Sequence, residues 1–164
     1  MRKFADIRSF QAFLRDEVPA RIAAGKAEGL RAGARIIGNE MRGEIGEYQH
    51  GDAGFEDWPN LAPGTLDGFG PLPGKVALGQ APPDNPLLAN GTMRDSIGEK
   101  FGEDAAAIGT DDKVAIYQNE GTDERGVPFH RGEKTSPGVP GREFVGRSGF
   151  RAAPDAVAAV GQAV

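Results

Sequence analysis

The sequence predicts an α+β fold, with a long N-terminal helix packed on a small antiparallel sheet and two long Pro/Gly-rich loops or arms. Three observations carry that expectation. From Ala23 the apolar or small positions Ala27, Leu30, Ala34, Ile37, Met41, Ile45 and Tyr48 recur at three- and four-residue spacing, the period of one helix face. Residues 95–101 and 105–108 alternate on either side of Gly102-Glu103-Asp104, the pattern of a hairpin. Glycine and proline, 25 and 12 of 164 residues, gather in two stretches that hold no sustained period.

The length suits one domain over residues 1–164, divided into a helical part (1–50), an extended arm (51–90) and a part with sheet, loop and C-terminal helix (91–164). Ser9 is placed to cap a short helix over residues 10–17, with Phe10, Phe13 and Leu14 on its apolar side. Pro19 then reads as the first turn of a second helix, where its missing N–H costs nothing. That helix carries Gly25, Gly29 and Gly33 at four-residue intervals, each costing about 1 kcal/mol against alanine in a helix interior. Close approach of another backbone, within the fold or from a neighbouring subunit, would compensate for them. His50-Gly51 supplies the expected stop.

Residues 51–90 contain seven prolines, and Phe55, Trp58, Leu61, Leu66 and Phe69 punctuate them as apolar anchors. Such anchors on an extended segment suggest docking onto a surface, so the arm is expected to order against a partner. Beyond the hairpin, residues 113–119 satisfy the pattern of a third strand or of a short helix. Residues 121–140 form the second Pro/Gly-rich excursion, and residues 154–163 a weak alanine-rich helix.

Composition narrows the chemistry. No cysteine is present, which removes disulfides, thiolate zinc sites and cysteine nucleophiles and suits a reducing cytoplasm. MRKFADIRSF holds no apolar run of signal-peptide length, and nowhere do about eighteen consecutive apolar residues occur. A net charge of −5 argues against sequence-specific DNA binding, which uses a basic excess. Residues 1–50 are slightly basic and residues 52–124 acidic, the balance of a solvated surface or of a wall facing a polyanion that must not adhere.

Local motifs for catalysis are weak. His50 and His130 lie in separate loops with no metal-ligand or triad spacing around them. GFGPLPG, residues 68–74, lacks the preceding strand and following helix of a phosphate loop, and its prolines remove N–H donors. Glu103-Asp104 and Asp111-Asp112 occupy turn positions where carboxylates are ordinary. NGT at Asn90 matches a glycosylation acceptor without a secretory context. The expectation is a non-enzyme with no catalytic residues, no cofactor and no metal.

Five segments in order carry a resemblance: WPNLAPGTL (58–66), PLLANGTMRDSI (86–97), AAIGT (106–110), AIYQNEGT (115–122) and VPGREFVGRS (139–148). Together they resemble the phage virion-morphogenesis and tail-completion proteins, the group that includes the Mu G-like tail components. Two positions depart from that pattern: Glu143 stands where the family reads proline, and Gln118-Asn119-Glu120 replaces a histidine or tyrosine before the glycine. The resemblance implies a structural virion protein of a tailed phage or phage-like particle, assembled in the bacterial cytoplasm and built into the neck. There it would act in tail completion or head-tail joining, as a homo-oligomeric ring around the DNA channel. Its partners would be head connector or closure proteins and the tail tube or terminator, with DNA passing through the lumen unread and no membrane involved. The alternative within that class is a tail terminator capping the tube; a peptide-binding module or a small hydrolase lie further off. Candidate interface residues are Gly25, Gly29, Gly33, Phe55, Trp58, Leu61, Leu66, Phe69, Arg142 and Phe144. Within PLLANGTMRDSI, Leu87 and Leu88 are expected to pin the arm, Asn90-Gly91 to turn the chain, and Met93 and Ile97 to begin the inward face of the first strand.

Overall fold

The computed structural model describes residues 3–80, 82–122 and 138–163. The protein has an α+β fold in which a long N-terminal helix is accompanied by two small antiparallel sheets.

The first helix, α1 (Ile7–Ala12), starts earlier than its expected cap. Asp6 Oδ1 accepts the Ser9 N–H at 2.7 Å while Ser9 Oγ accepts the Asp6 N–H at 3.2 Å, so Ser9 is the third residue of a capping box rather than the cap. The expected break before Pro19 is also absent. A π-turn over Phe13–Glu17 runs directly into α2 (Val18–Glu44), and the wider turn relieves the clash of the proline ring with the Arg15 carbonyl. The helix ends at Glu44, several residues before His50, where Ile45 turns extended at ψ 115° and Gly46 follows at φ 106°. Ile45 and Tyr48 keep their place in the apolar pattern, but they reach the core from irregular chain.

Helix α2 packs along α6 (Phe144–Ala163), which begins ten residues before its expected start and holds Pro154 in its interior. The buried face of α2 centres on Gly25, Gly29, Gly33 and Gly38, with Ala34 and Met41. The predicted stripe is therefore only partly right: Ala23 is exposed and Leu30 and Ile37 are half-buried. A Cβ at Gly29 would lie 2.9 Å from Val160 Cα, and one at Gly33 would lie 3.2 Å from the Ala156 carbonyl oxygen. The two backbones approach because these side chains are hydrogen atoms.

Residues 51–90 do not form a detached arm. They fold against the rest of the chain, with a helical turn α3 (Pro63–Asp67) and a two-residue ribbon, β1 (Gly68–Phe69) with β2 (Leu72–Pro73). Asn90 Oδ1 then accepts the Thr92 N–H at 3.1 Å, and Gly91 at φ 87° opens a single turn, α4 (Thr92–Asp95). Met93 and Ile97 are both buried, as the alternation predicts, yet Met93 lies on this helical turn and Ile97 just after it, not on a strand. The hairpin itself is β3 (Gly98–Phe101) with β4 (Ala106–Gly109), pairing Gly98 with Gly109 and Phe101 with Ala106. The Gly102 N–H donates to the Ala105 carbonyl at 2.8 Å and closes the turn at the place expected. Of the two patterns open for residues 113–119 the helix is realised, as α5 (Lys113–Glu120), capped by Asp112 Oδ1 on the Val114 N–H at 2.9 Å.

The core is one cluster of Met41, Ile45, Trp58, Met93, Ile97, Ala115 and Phe144, with Tyr48, Leu87, Leu88 and Ile108 packed around it.

Candidate functional site

Each of the five resembling segments delivers an apolar side chain to that one core. Trp58 comes from the first, Leu87, Leu88, Met93 and Ile97 from the second, Ile108 from the third, Ala115 from the fourth and Phe144 from the fifth. Burying a side chain of this size contributes about 1.5–3 kcal/mol, so the segments hold one another in place although up to ninety residues separate them.

Buried cations tie the irregular chain to this core. The guanidinium of Arg147, almost wholly buried on α6, donates to the His50 carbonyl at 2.6 Å and to the Glu56 carbonyl, and lies 3.3 Å from Asp52 Oδ1. Arg142 donates to the Pro59 carbonyl and to Gln118 Oε1, both at 3.3 Å. Lys75 Nζ donates to the carbonyls of Asn85 and Leu88, each at 2.7 Å. Burial lowers the pKa of Lys75 and of Arg142, with nearby Asp84 and Tyr48 respectively opposing it. In each case a desolvated cation is held by loop carbonyls that helices and sheets leave unpaired. Glu143, the position where the resembling family reads proline, has φ 27°, far from the value near −65° that a proline ring imposes.

Glu44 is the buried carboxylate of this region, at 2% exposure and facing α6. Its oxygens accept no hydrogen bond among the described residues, and the nearest cation, Arg151 Nη1, stands 3.5 Å from Oε1. Arg151 is committed elsewhere, to Asp52 at 2.7 Å and Gln49 at 2.6 Å, and the Ser148 hydroxyl donates to the Phe144 carbonyl at 2.6 Å. Burial pushes the Glu44 carboxyl up to about 7, Arg151 and Arg147 pulling it down and Glu40 adding to the rise.

The candidate interface residues separate into two sets. Gly25 is buried, and Gly29 and Gly33 are covered by α6 of the same chain, so the close approach expected of these two lies within the fold. Trp58, Arg142 and Phe144 are buried in their own subunit and offer no surface to another. Phe55 is half-buried, its ring 6.3 Å from that of Phe150 and under the Arg147 guanidinium at 5.2 Å. Leu61 and Leu66 are half-buried, while Phe69 is 80% exposed on the β1–β2 ribbon. The arm thus joins the fold through Phe55 and Trp58 and leaves Phe69 free to reach outward.

Glu44, Lys75 and Arg147 are the buried charges that sequence reasoning passed over. Glu44 sits three residues after Met41, on the same helical face, a signal available in the spacing. Lys75, between glycine and valine in irregular chain, leaves no such trace. His50 is exposed, and its carbonyl serves Arg147; His130 lies outside the described residues. Asp112 caps α5 and Asp104 pairs with Lys26, which accounts for one member of each carboxylate pair. Among the described residues no three His, Asp or Glu side chains gather to hold a metal ion, and no helix is long and apolar enough to cross a membrane. An open groove beside β3 and β4 is floored by Ser96, Ile108 and Thr110, where the Ser96 and Thr110 hydroxyls bond each other at 2.6 Å.

Comparison of the chain with protein-family models, with curated proteins and with solved structures returned no match.

Proposed function

We infer that this chain is a structural subunit of a tailed-phage or phage-like particle, set in the neck as a tail-completion or head-tail joining protein. The observation that carries the reading is the meeting of all five resembling segments in one core. The five segments are thereby elements of one packed unit, the arrangement that a shared fold would need. The buried cations fit a structural part, because Lys75, Arg142 and Arg147 are used to fix loop carbonyls. On this reading, copies of the chain form a ring around the DNA channel, and its net negative charge keeps the passing polyanion from adhering.

Deletion of the gene is expected to leave filled heads and separate tails in micrographs of a lysate, with joined particles restored when the gene is supplied in trans. Intact, infectious particles from the deletion strain would overturn the reading.

A further inference from the structure

The apolar stripe of the long helix continues past the helix that covers it. Along α2 the face of Gly29 and Gly33 meets α6, whose described part ends at Ala163 beside Gly29, and Gly25 is buried on the same line. The same face runs on toward the N-terminus through Ile22, Val18, Leu14, Phe10 and Ile7, a series with spacings of three and four. At 100° per residue it would drift off line over this length. The π-turn at Phe13–Glu17 takes up one extra residue and returns the series to the face that α6 covers. Among the described residues before Gly25 none is buried, and Ile7, Leu14 and Ile22 are 71%, 47% and 50% exposed. Phe4 packs on Phe10 and Phe13, with ring centroids 5.2 and 5.1 Å apart, and the eighteen residues 7–24 form a projection about 27 Å long whose apolar side is open at Ile7, Leu14 and Ile22.

A second apolar surface lies on α6 itself. Opposite the Ala152 and Ala156 edge that meets α2, it presents Phe150, Ala153, Val157 and Gly161, with Val157 70% exposed, and no charged residue follows Asp155. A helix apolar on both sides is one that both sides bury. The two surfaces match in kind: large side chains on the projection, mostly small ones after Phe150 on the outer face of α6, the latter about 17 Å long between Phe150 and Gly161. Charge favours their meeting across copies. Residues 7–24 hold three Lys or Arg against two Asp or Glu, which leaves sixteen against twenty-two in the rest of the chain. Projection on body attracts, whereas body on body repels.

We propose that residues 7–24 of one copy dock on the outer face of α6 of a second copy of this chain. The contact is heterologous, each copy giving a projection and receiving one, so it propagates into a closed ring or a filament. It deepens the ring reading above and rests on it for its setting, but it is tested on the purified full chain.

Sedimentation velocity of the wild-type chain should show species larger than the monomer, weakened at high salt. Leu14→Asp removes the donor surface and Val157→Asp the acceptor; both side chains are exposed, so circular dichroism and the thermal transition should match wild type. Each variant alone should run as a monomer, with assembly weakened at least tenfold, and Ile7→Asp should repeat the Leu14→Asp result. Mixed together, Leu14→Asp and Val157→Asp should give a one-to-one dimer and nothing larger, because one good surface survives on each. A wild-type chain that stays monomeric at every concentration overturns the contact, and so does Leu14→Asp assembling as wild type. If Val157→Asp assembles normally while Leu14→Asp does not, projections pair with each other and the proposed acceptor is wrong. Monomeric wild type would sink this contact alone, since separated heads and tails in the deletion lysate would still support a neck subunit.

Discussion

The two halves of the long helix carry one continuous stripe under different cover. From Gly25 to Glu44 the stripe is made mostly of small residues and is buried within its own chain, Gly29 and Gly33 against α6 and Met41 in the core; from Ile7 to Ile22 it is made of large apolar residues and is mostly exposed. Small residues let a second backbone come close enough to bury a face completely, and that contact is already satisfied within one subunit. Large residues leave area exposed until another surface arrives. Residue size along one helix thus separates the part that holds the fold from the part free to hold a neighbour.

The largest effect is expected where the covered half meets the core. Met41→Ala should lower unfolding free energy by about 2–5 kcal/mol in urea melts, because Met41 is fully buried and its loss leaves a cavity. A change within about 0.5 kcal/mol would place Met41 outside the packed half and break the comparison.

Next comes Glu44, at the end of that half. Its folded-state value of about 7 lies above its ordinary 4.5, so the fold favours the protonated carboxyl. The contribution of Glu44 to stability is fully present below pH 4.5 and is lost as the pH rises through about 7, by on the order of 3 kcal/mol across the window. Glu44→Gln should flatten that fall in melts recorded at successive pH values. Equal slopes in the variant and the parent would show that Glu44 does not titrate between its folded and unfolded states in this way.

A smaller effect is expected at the glycine face. Gly29→Leu must push against Val160 and Ala163 and should destabilise the subunit by about 1–3 kcal/mol, more than Gly43→Leu, where no atom stands within 4 Å of the position a Cβ would take. Equal melting temperatures for the two variants would remove the close approach as the reason for the glycines. Both changes also relieve the low helix propensity of glycine, so their difference reports packing.

The smallest change belongs to the bare half. Leu14→Ala should alter the stability of the unassembled subunit by no more than about 0.5 kcal/mol, measured by denaturant melts in dilute, high-salt solution. A loss comparable with that of Met41→Ala would mean that the projection is packed within the monomer.

Local signals were legible in proportion to how local their causes are. The hairpin turn at Gly102-Glu103-Asp104 lay where it was expected, because its residues fix the backbone by themselves. The early end of α2 and the single turn at Thr92–Asp95 were hidden, although Gly46 and Gly91 at positive φ accompany them, since a glycine in sequence does not announce its φ. The extent of α6 was hidden for a related reason: Gly146, Gly149 and Pro154 lower its intrinsic propensity, and only its seat on α2 sustains a helix of that length. Of the candidate interface residues, Phe69 stands on the surface, while Trp58, Arg142 and Phe144 turned inward, because an aromatic or an arginine reads the same whether its pocket belongs to its own chain or to another.

By itself the sequence determined the α+β class, the long helix, the hairpin and the order of the five segments, all of which follow from period, turn chemistry and composition. Only the tertiary structure decided which face of the helix is buried, that Trp58 closes its own core, that Lys75 binds loop carbonyls, and that Arg142 and Arg147 bind carbonyls far away in the chain. Periodicity is a property of neighbours along the chain. Burial and the pairing of a desolvated charge depend on residues that meet only when the chain has folded.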